Sequence, residues 1–159
     1  MDESLRGIAD DVATYGWSVM RVSADGPGPD FAYSIGMVQN LGHPEILVVG
    51  LPLDTAHRLI NDVGDAVRDG KRFAAGQVSG DFLENYDVIF RRVPDYQYGA
   101  YLGWGLRFYE GEQFPALQMI YPDRERRWPW QDGVSPEFRA SQPVLADEPE
   151  PPWARDPAV

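Results

Sequence analysis

The 159 residues suffice for one domain with a buried core, and 25 acidic against 14 basic side chains give a formal net charge of −11. Such a surface repels phosphate backbones and anionic headgroups, which disfavours nucleic-acid and membrane roles. The chain has no cysteine, so disulfides, thiolate nucleophiles and cysteine zinc sites are excluded.

Leu5, Ile8, Ala9 and Val12 recur at helical spacing, and Gly16 ends that helix. Trp17 to Val22 alternates apolar and polar residues and reads as a half-buried strand. Asp25-Gly26-Pro27-Gly28-Pro29-Asp30 is a turn cluster, and Phe31 to Gly36 returns as a second strand. Gly42-His43-Pro44 breaks the chain again before Glu45 to Gly50, a β-branched run that predicts a central strand. Pro52 and Asp54 suit a helix start. Leu53, Ala56, Leu59, Ile60, Val63, Ala66 and Val67 then form one stripe as far as Gly70.

A short strand near Gln77-Val78 and a stronger one over Tyr86 to Val93 follow. Asp95 is placed to cap a helix carrying Tyr98, Tyr101, Leu102, Gly105 and Tyr109, with Gly99 and Gly103 free to approach a sheet. Phe114 to Tyr121 is the last strand. Successive strands without intervening helices argue against a doubly wound parallel sheet. The expected fold is α+β: a single mostly antiparallel sheet with two or three packed helices over residues 1–131. Residues 132–159 hold six prolines and six acids against two basic side chains. They are expected to form a mostly disordered acidic Pro-rich tail, from which Phe138, Val144, Leu145 and Trp153 are the residues able to dock individually.

Several segments combine distinctively: Phe31-Ala32-Tyr33-Ser34-Ile35-Gly36, Gly42-His43-Pro44-Glu45, Gly50-Leu51-Pro52, Phe114-Pro115-Ala116-Leu117-Gln118, Tyr121-Pro122-Asp123 and Trp128-Pro129-Trp130. In this order they resemble the domain-of-unknown-function family 4262, from about Ile8 to Trp130. The resemblance implies a compact bacterial domain and carries over no reaction, cofactor or catalytic residue. The acidic start Met1-Asp2-Glu3-Ser4 is unlike a secretory leader, and the apolar run Ile46 to Val49 is too short to span a bilayer, so a cytoplasmic location is expected.

His43 is the candidate acid/base, because imidazole titrates near neutral pH and the residue sits in a loop at the foot of a central strand. Its alternative role is to bond a backbone group and shape the turn with Pro44. His43, Glu45, His57 and Asp123 offer metal-type ligands, but no HxxxH or HxH pair occurs, and neither a metal nor a cofactor is expected. Tyr33, Glu45, Tyr121, Asp123, Arg127, Trp128 and Trp130 are the candidate ligand-binding residues. Tyrosines suit a cleft or a core, and strand or helix spacing favours the core for Tyr33 and Tyr101. Arg124-Glu125-Arg126-Arg127 with Trp128 and Trp130 either clamps an anion or neutralises an acidic surface. Nucleophile-elbow and phosphate-loop signatures are missing.

Two functions follow. The first is a module that binds a protein partner, with an exposed aromatic patch and no deep polar cleft. The second is a small enzyme or ligand-binding protein, in which His43 and the Arg124 to Arg127 segment converge on one concavity around an anionic substrate. The sequence leaves the oligomeric state open.

Overall fold

Asp2 accepts the Ser4 N–H at 2.8 Å and opens α1 (Glu3–Tyr15), which the left-handed Gly16 closes by donating to Val12 O. The computed structural model describes residues 2–24, 26–111 and 113–151. Four strands follow the expected places: β1 (Ser18–Val22), β2 (Phe31–Ile35), β3 (Glu45–Val49) and β5 (Tyr86–Arg92). β4 (Val78–Leu83) begins where the short strand was expected, and β6 (Ala116–Ile120) is the last.

These six form one sheet in the order β1-β2-β3-β6-β5-β4. Four of its pairings are antiparallel, and β3 runs parallel to β6. A parallel pair needs a long crossover, here everything between Val49 and Ala116. β3 is buried along its whole length, which is why it reads as a continuous apolar run after Glu45.

Each face of the sheet is covered. On one side α3 (Leu53–Arg68) buries Ala56, Leu59, Ile60, Val63 and Val67 against Ala32, Ile46, Val48, Phe90 and Met119. On the other, Ile8 and Val12 of α1 pack with Tyr33, Ile35, Leu47, Val49, Leu102 and Phe114. Among the described residues no helix is long and apolar enough to cross a membrane.

The structure corrects three expectations. The helix after Asp95 is broken into a 3-10 turn (Asp95–Gln97), α4 (Tyr98–Tyr101) and α5 (Gly103–Phe108), with Leu102 at φ −123° and ψ 34° between them. Asp95 makes no capping bond; its carboxylate meets Gln113 at 3.2 Å and Arg92 at 3.9 Å. Close approach is made at Gly105, where a Cβ would lie 2.9 Å from the Phe114 ring, while Gly99 and Gly103 face open space.

A one-turn helix, α2 (Met37–Leu41), stands between Gly36 and Gly42, a stretch too short to show periodicity. The segment read as a mostly disordered tail is built onto the domain as far as Leu145. Ser135 caps α6 (Pro136–Ser141), Phe138 meets the Tyr121 ring at 5.9 Å, and Leu145 is buried. Val144 is half-buried, and Trp153 lies outside the described residues.

Two glutamines hold this segment. Gln142 accepts the Tyr121 N–H at 3.0 Å and donates to Tyr121 O at 2.8 Å. Gln118 accepts the Leu145 N–H at 2.9 Å and donates to Pro143 O at 2.8 Å. Both amides are fully buried, and each satisfies a peptide group that has no strand partner.

Candidate functional site

His43 follows the left-handed Gly42 at the end of α2 and is 1% exposed. Its Nδ1–H donates to Pro44 O at 2.9 Å, and its Nε2 accepts the Phe73 N–H at 3.1 Å. The ring stands edge-on to Phe73. Both ring nitrogens are engaged by backbone, the turn-shaping arrangement set against the acid/base role above.

Burial pushes the imidazole pKa below its ordinary 6.5, and the Arg72 charge acts in the same direction. Protonating Nε2 would also set its new N–H against that of Phe73. A histidine with a lowered folded pKa contributes stability that is full above its unfolded pKa and is lost as pH falls toward the folded one. Denaturation titrations from pH 8 to pH 5 should therefore show wild type losing stability below about pH 6.5, with a shallower loss in His43→Gln. Parallel profiles would contradict this reading of the ring.

Two residues on, Glu45 points to the opposite face and is fully buried. Its Oε1 accepts from Ser34 Oγ–H at 2.7 Å and Met37 N–H at 3.1 Å. Its Oε2 accepts from the Gly36 and Val38 amides, each at 3.1 Å, and from Tyr109 O–H at 2.5 Å. Ser34 Oγ is itself oriented by the Ile46 N–H at 2.9 Å. Burial pushes the carboxyl upward, while Tyr109, Ser34 and the α2 amides oppose it. All five groups serve as donors, so the pocket is built for the anion. Burial and the neighbouring Glu45 charge drive the Tyr109 phenol far above its usual value.

Tyr33 and Tyr121 are also internal. Tyr33 Oη accepts the Trp104 N–H at 3.0 Å, and Tyr121 Oη donates to Val49 O at 3.0 Å. Burial raises both phenols.

Beyond β6 the chain closes into a tight loop. Asp123 Oδ1 accepts the Glu125 and Arg127 amides at 2.9 Å each, and Oδ2 accepts Arg127 Nε at 3.1 Å. Burial alone would raise the Asp123 carboxyl, but the Arg127 amide and guanidinium and the Glu125 amide hold it below its usual range. Arg126 takes a left-handed backbone (φ 64°), donates from Nε to Asn85 O at 3.1 Å and lies over the Tyr86 ring. Tyr86 Oη donates to Arg124 O at 3.3 Å. Arg139 Nε donates to Pro129 O at 2.9 Å. The half-buried rings of Trp128 and Trp130 stack at 5.7 Å and 17°.

These two groups of residues do not meet. In the parallel β3–β6 pair Glu45 stands opposite Ala116, and Tyr121 lies five residues further along, a separation of about 17 Å. His43 and Glu45 thus flank one end of the sheet, while Tyr121, Asp123, Arg127, Trp128 and Trp130 gather at the other. The convergence required of His43 and the arginines is absent, because a parallel register puts strand start and strand end at opposite ends. Among the described residues no three histidine or carboxylate side chains are grouped to hold a metal.

The family described as Domain of unknown function (DUF4262) matches residues 11–135. The chain belongs to this family. The match takes in the Glu45 pocket and the whole 123–130 loop of this DUF4262 chain. No curated protein and no solved structure matches it.

Sequence reasoning missed Tyr109 and Ser34 as partners of Glu45, and Gln118 and Gln142 as the clasps of the C-terminal segment. Gln118 carried a signal: an amide inside an otherwise apolar strand needs a buried partner.

Proposed function

We propose that this DUF4262 chain is a small cytoplasmic bacterial interaction module whose contact surface is the ridge Arg124, Arg126, Trp128 and Trp130. The observation that carries this reading is the pairing of stacked, half-exposed tryptophans with two exposed arginines on a loop already fixed by Asp123, Asn85 and Arg139. Arg124 and Arg126, like Arg6, Arg72 and Arg139, form no ion pair among the described residues.

Trp and Arg are the side chains most often responsible for interface affinity, and a pre-ordered loop loses little entropy on binding. A guanidinium fork suits carboxylates. The partner is accordingly a protein segment that presents Asp or Glu beside an apolar residue. On a protein of net charge −11, a cationic ridge also selects one orientation of an acidic partner.

Peptide display on the wild-type protein tests this. Selected sequences should be enriched in Asp and Glu next to an apolar residue, and Trp128→Ala should weaken them by about thirtyfold or more, the scale of a hot-spot residue. Selection of the same peptides on Trp128→Ala and on the Arg124→Ala/Arg126→Ala double variant would overturn it.

A further inference from the structure

The opposite edge of the sheet carries a second, independent surface. β1 is the outermost strand, and among the described residues no strand pairs with its outer side. Its register with β2 is continuous over all five residues, whereas the other edge, β4, is irregular between Ser79 and Leu83 and carries exposed Gly80 and Asp81. Bulges and charges of that kind guard an edge; β1 has only the exposed Arg21 side chain.

The backbone hydrogen bonds fix which groups β1 presents. The Glu45 N–H points to Pro115 O on the β6 side, and the Gly50 N–H points to Asp30 O on the β2 side. Strand residues alternate in the direction of their N–H and C=O, so Ile46 and Val48 face β2. Their partners Ser34 and Ala32 face β3 in return, leaving Phe31, Tyr33 and Ile35 to bond β1. These stand opposite Val22, Met20 and Ser18. The N–H and C=O groups of Val19 and Arg21 therefore point outward.

A groove of about 690 Å³ runs beside them, between β1, the end of α1 and the outer side of α3. His57, Asn61 and Asp65 form its α3 wall, and Asp11 and Tyr15 its α1 wall. Its two cations are committed: Arg21 to Asp54 at 3.6 Å, and Arg68 to Asp65, Tyr15 O and the face of Trp17. Asp11 has Ser18 Oγ–H as its partner and no cation among the described residues. The field of the whole protein is also negative.

We infer that β1 accepts a seventh strand: an extended, Lys- or Arg-bearing segment of a partner protein, laid into this groove and paired with the Val19 and Arg21 peptide groups. Main-chain bonds supply the affinity of such strand addition, and the alternate side chains meeting the two helices supply selectivity.

The test uses a heptapeptide alternating lysine and valine, and a control with alternate amides N-methylated. In the free protein the Val19 and Arg21 amides should exchange with solvent rapidly. The peptide should slow both by about tenfold or more, and the methylated control should not. Arg21→Ala keeps the outward N–H and should bind. Arg21→Pro removes that donor in addition to the side chain that Arg21→Ala removes, and at an edge position it should fold but bind about tenfold or more weaker than Arg21→Ala. Trp128→Ala should leave this binding unchanged, which separates the inference from the ridge proposed above. Slow exchange at Val19 and Arg21 in the free protein, absence of added protection, or equal binding of the methylated peptide would overturn it.

Discussion

Glu45→Ala should lower the unfolding free energy by about 3–5 kcal/mol, the range seen when one partner of a buried charged network is removed. The carboxylate collects five donors from three parts of the chain: Ser34 in β2, the Gly36, Met37 and Val38 amides that open α2, and Tyr109 after α5. Alanine leaves those donors without their shared acceptor, and α2 loses the anion at its first turn. Glu45→Gln should recover part of the loss, since its carbonyl replaces one acceptor oxygen while its amide hydrogens oppose the remaining donors. Tyr109→Phe removes a single donor and should cost about 1–3 kcal/mol. Chemical denaturation of the three variants orders them. If Glu45→Ala were as stable as wild type, the pocket would not be holding β2, α2 and α5 together.

Gly50→Ala comes next, with an expected loss of about 2–4 kcal/mol. Gly50 has φ +97°, a conformation that side-chain-bearing residues rarely adopt. A Cβ there would lie 2.2 Å from Ser141 O and 2.6 Å from Tyr121 Oη. The first of these is backbone, so relief requires moving α6 away from the sheet. That movement strains the Gln142 clasp on Tyr121 and the Gln118 clasp beyond it. Limited proteolysis should then cut between residues 131 and 145 in Gly50→Ala and spare wild type. An unchanged cleavage pattern and melting temperature would mean that the segment is not seated against Gly50.

These two sites also mark where the sequence could be read and where it could not. The β3 run and the α3 stripe are local patterns, and both elements lie where those patterns put them. Glu45 stood out as a carboxylate at the start of a central strand. What surrounds it did not, because α2 is a single turn and Tyr109 arrives from 64 residues away. The aromatic segment after Asp95 has helical spacing, yet the chain breaks at the fully buried Leu102 and swings α5 toward Phe114 through the close contact at Gly105. Proline and acid content made residues 132–159 read as a tail. Gln142 and Leu145 reverse that for the part described, since a few well-placed buried contacts outweigh average composition. The parallel register of β3 and β6, which separates His43 from the arginines, has no local signature at all. The 124–130 segment stood out in the sequence because its basic and aromatic residues follow no helical or strand period.

The claim that this ridge is the contact surface is tested most directly by fluorine NMR of 5-fluorotryptophan-labelled protein, titrated with an acidic peptide taken from the display selection. Trp17 is buried against α3, and Trp104 lies beneath the Arg107 guanidinium, so both serve as internal controls. The Trp128 and Trp130 resonances should move together and saturate while those of Trp17 and Trp104 stay fixed, and the Arg124→Ala/Arg126→Ala variant should abolish the movement. Binding that leaves Trp128 and Trp130 unmoved would place the contact surface elsewhere on the domain.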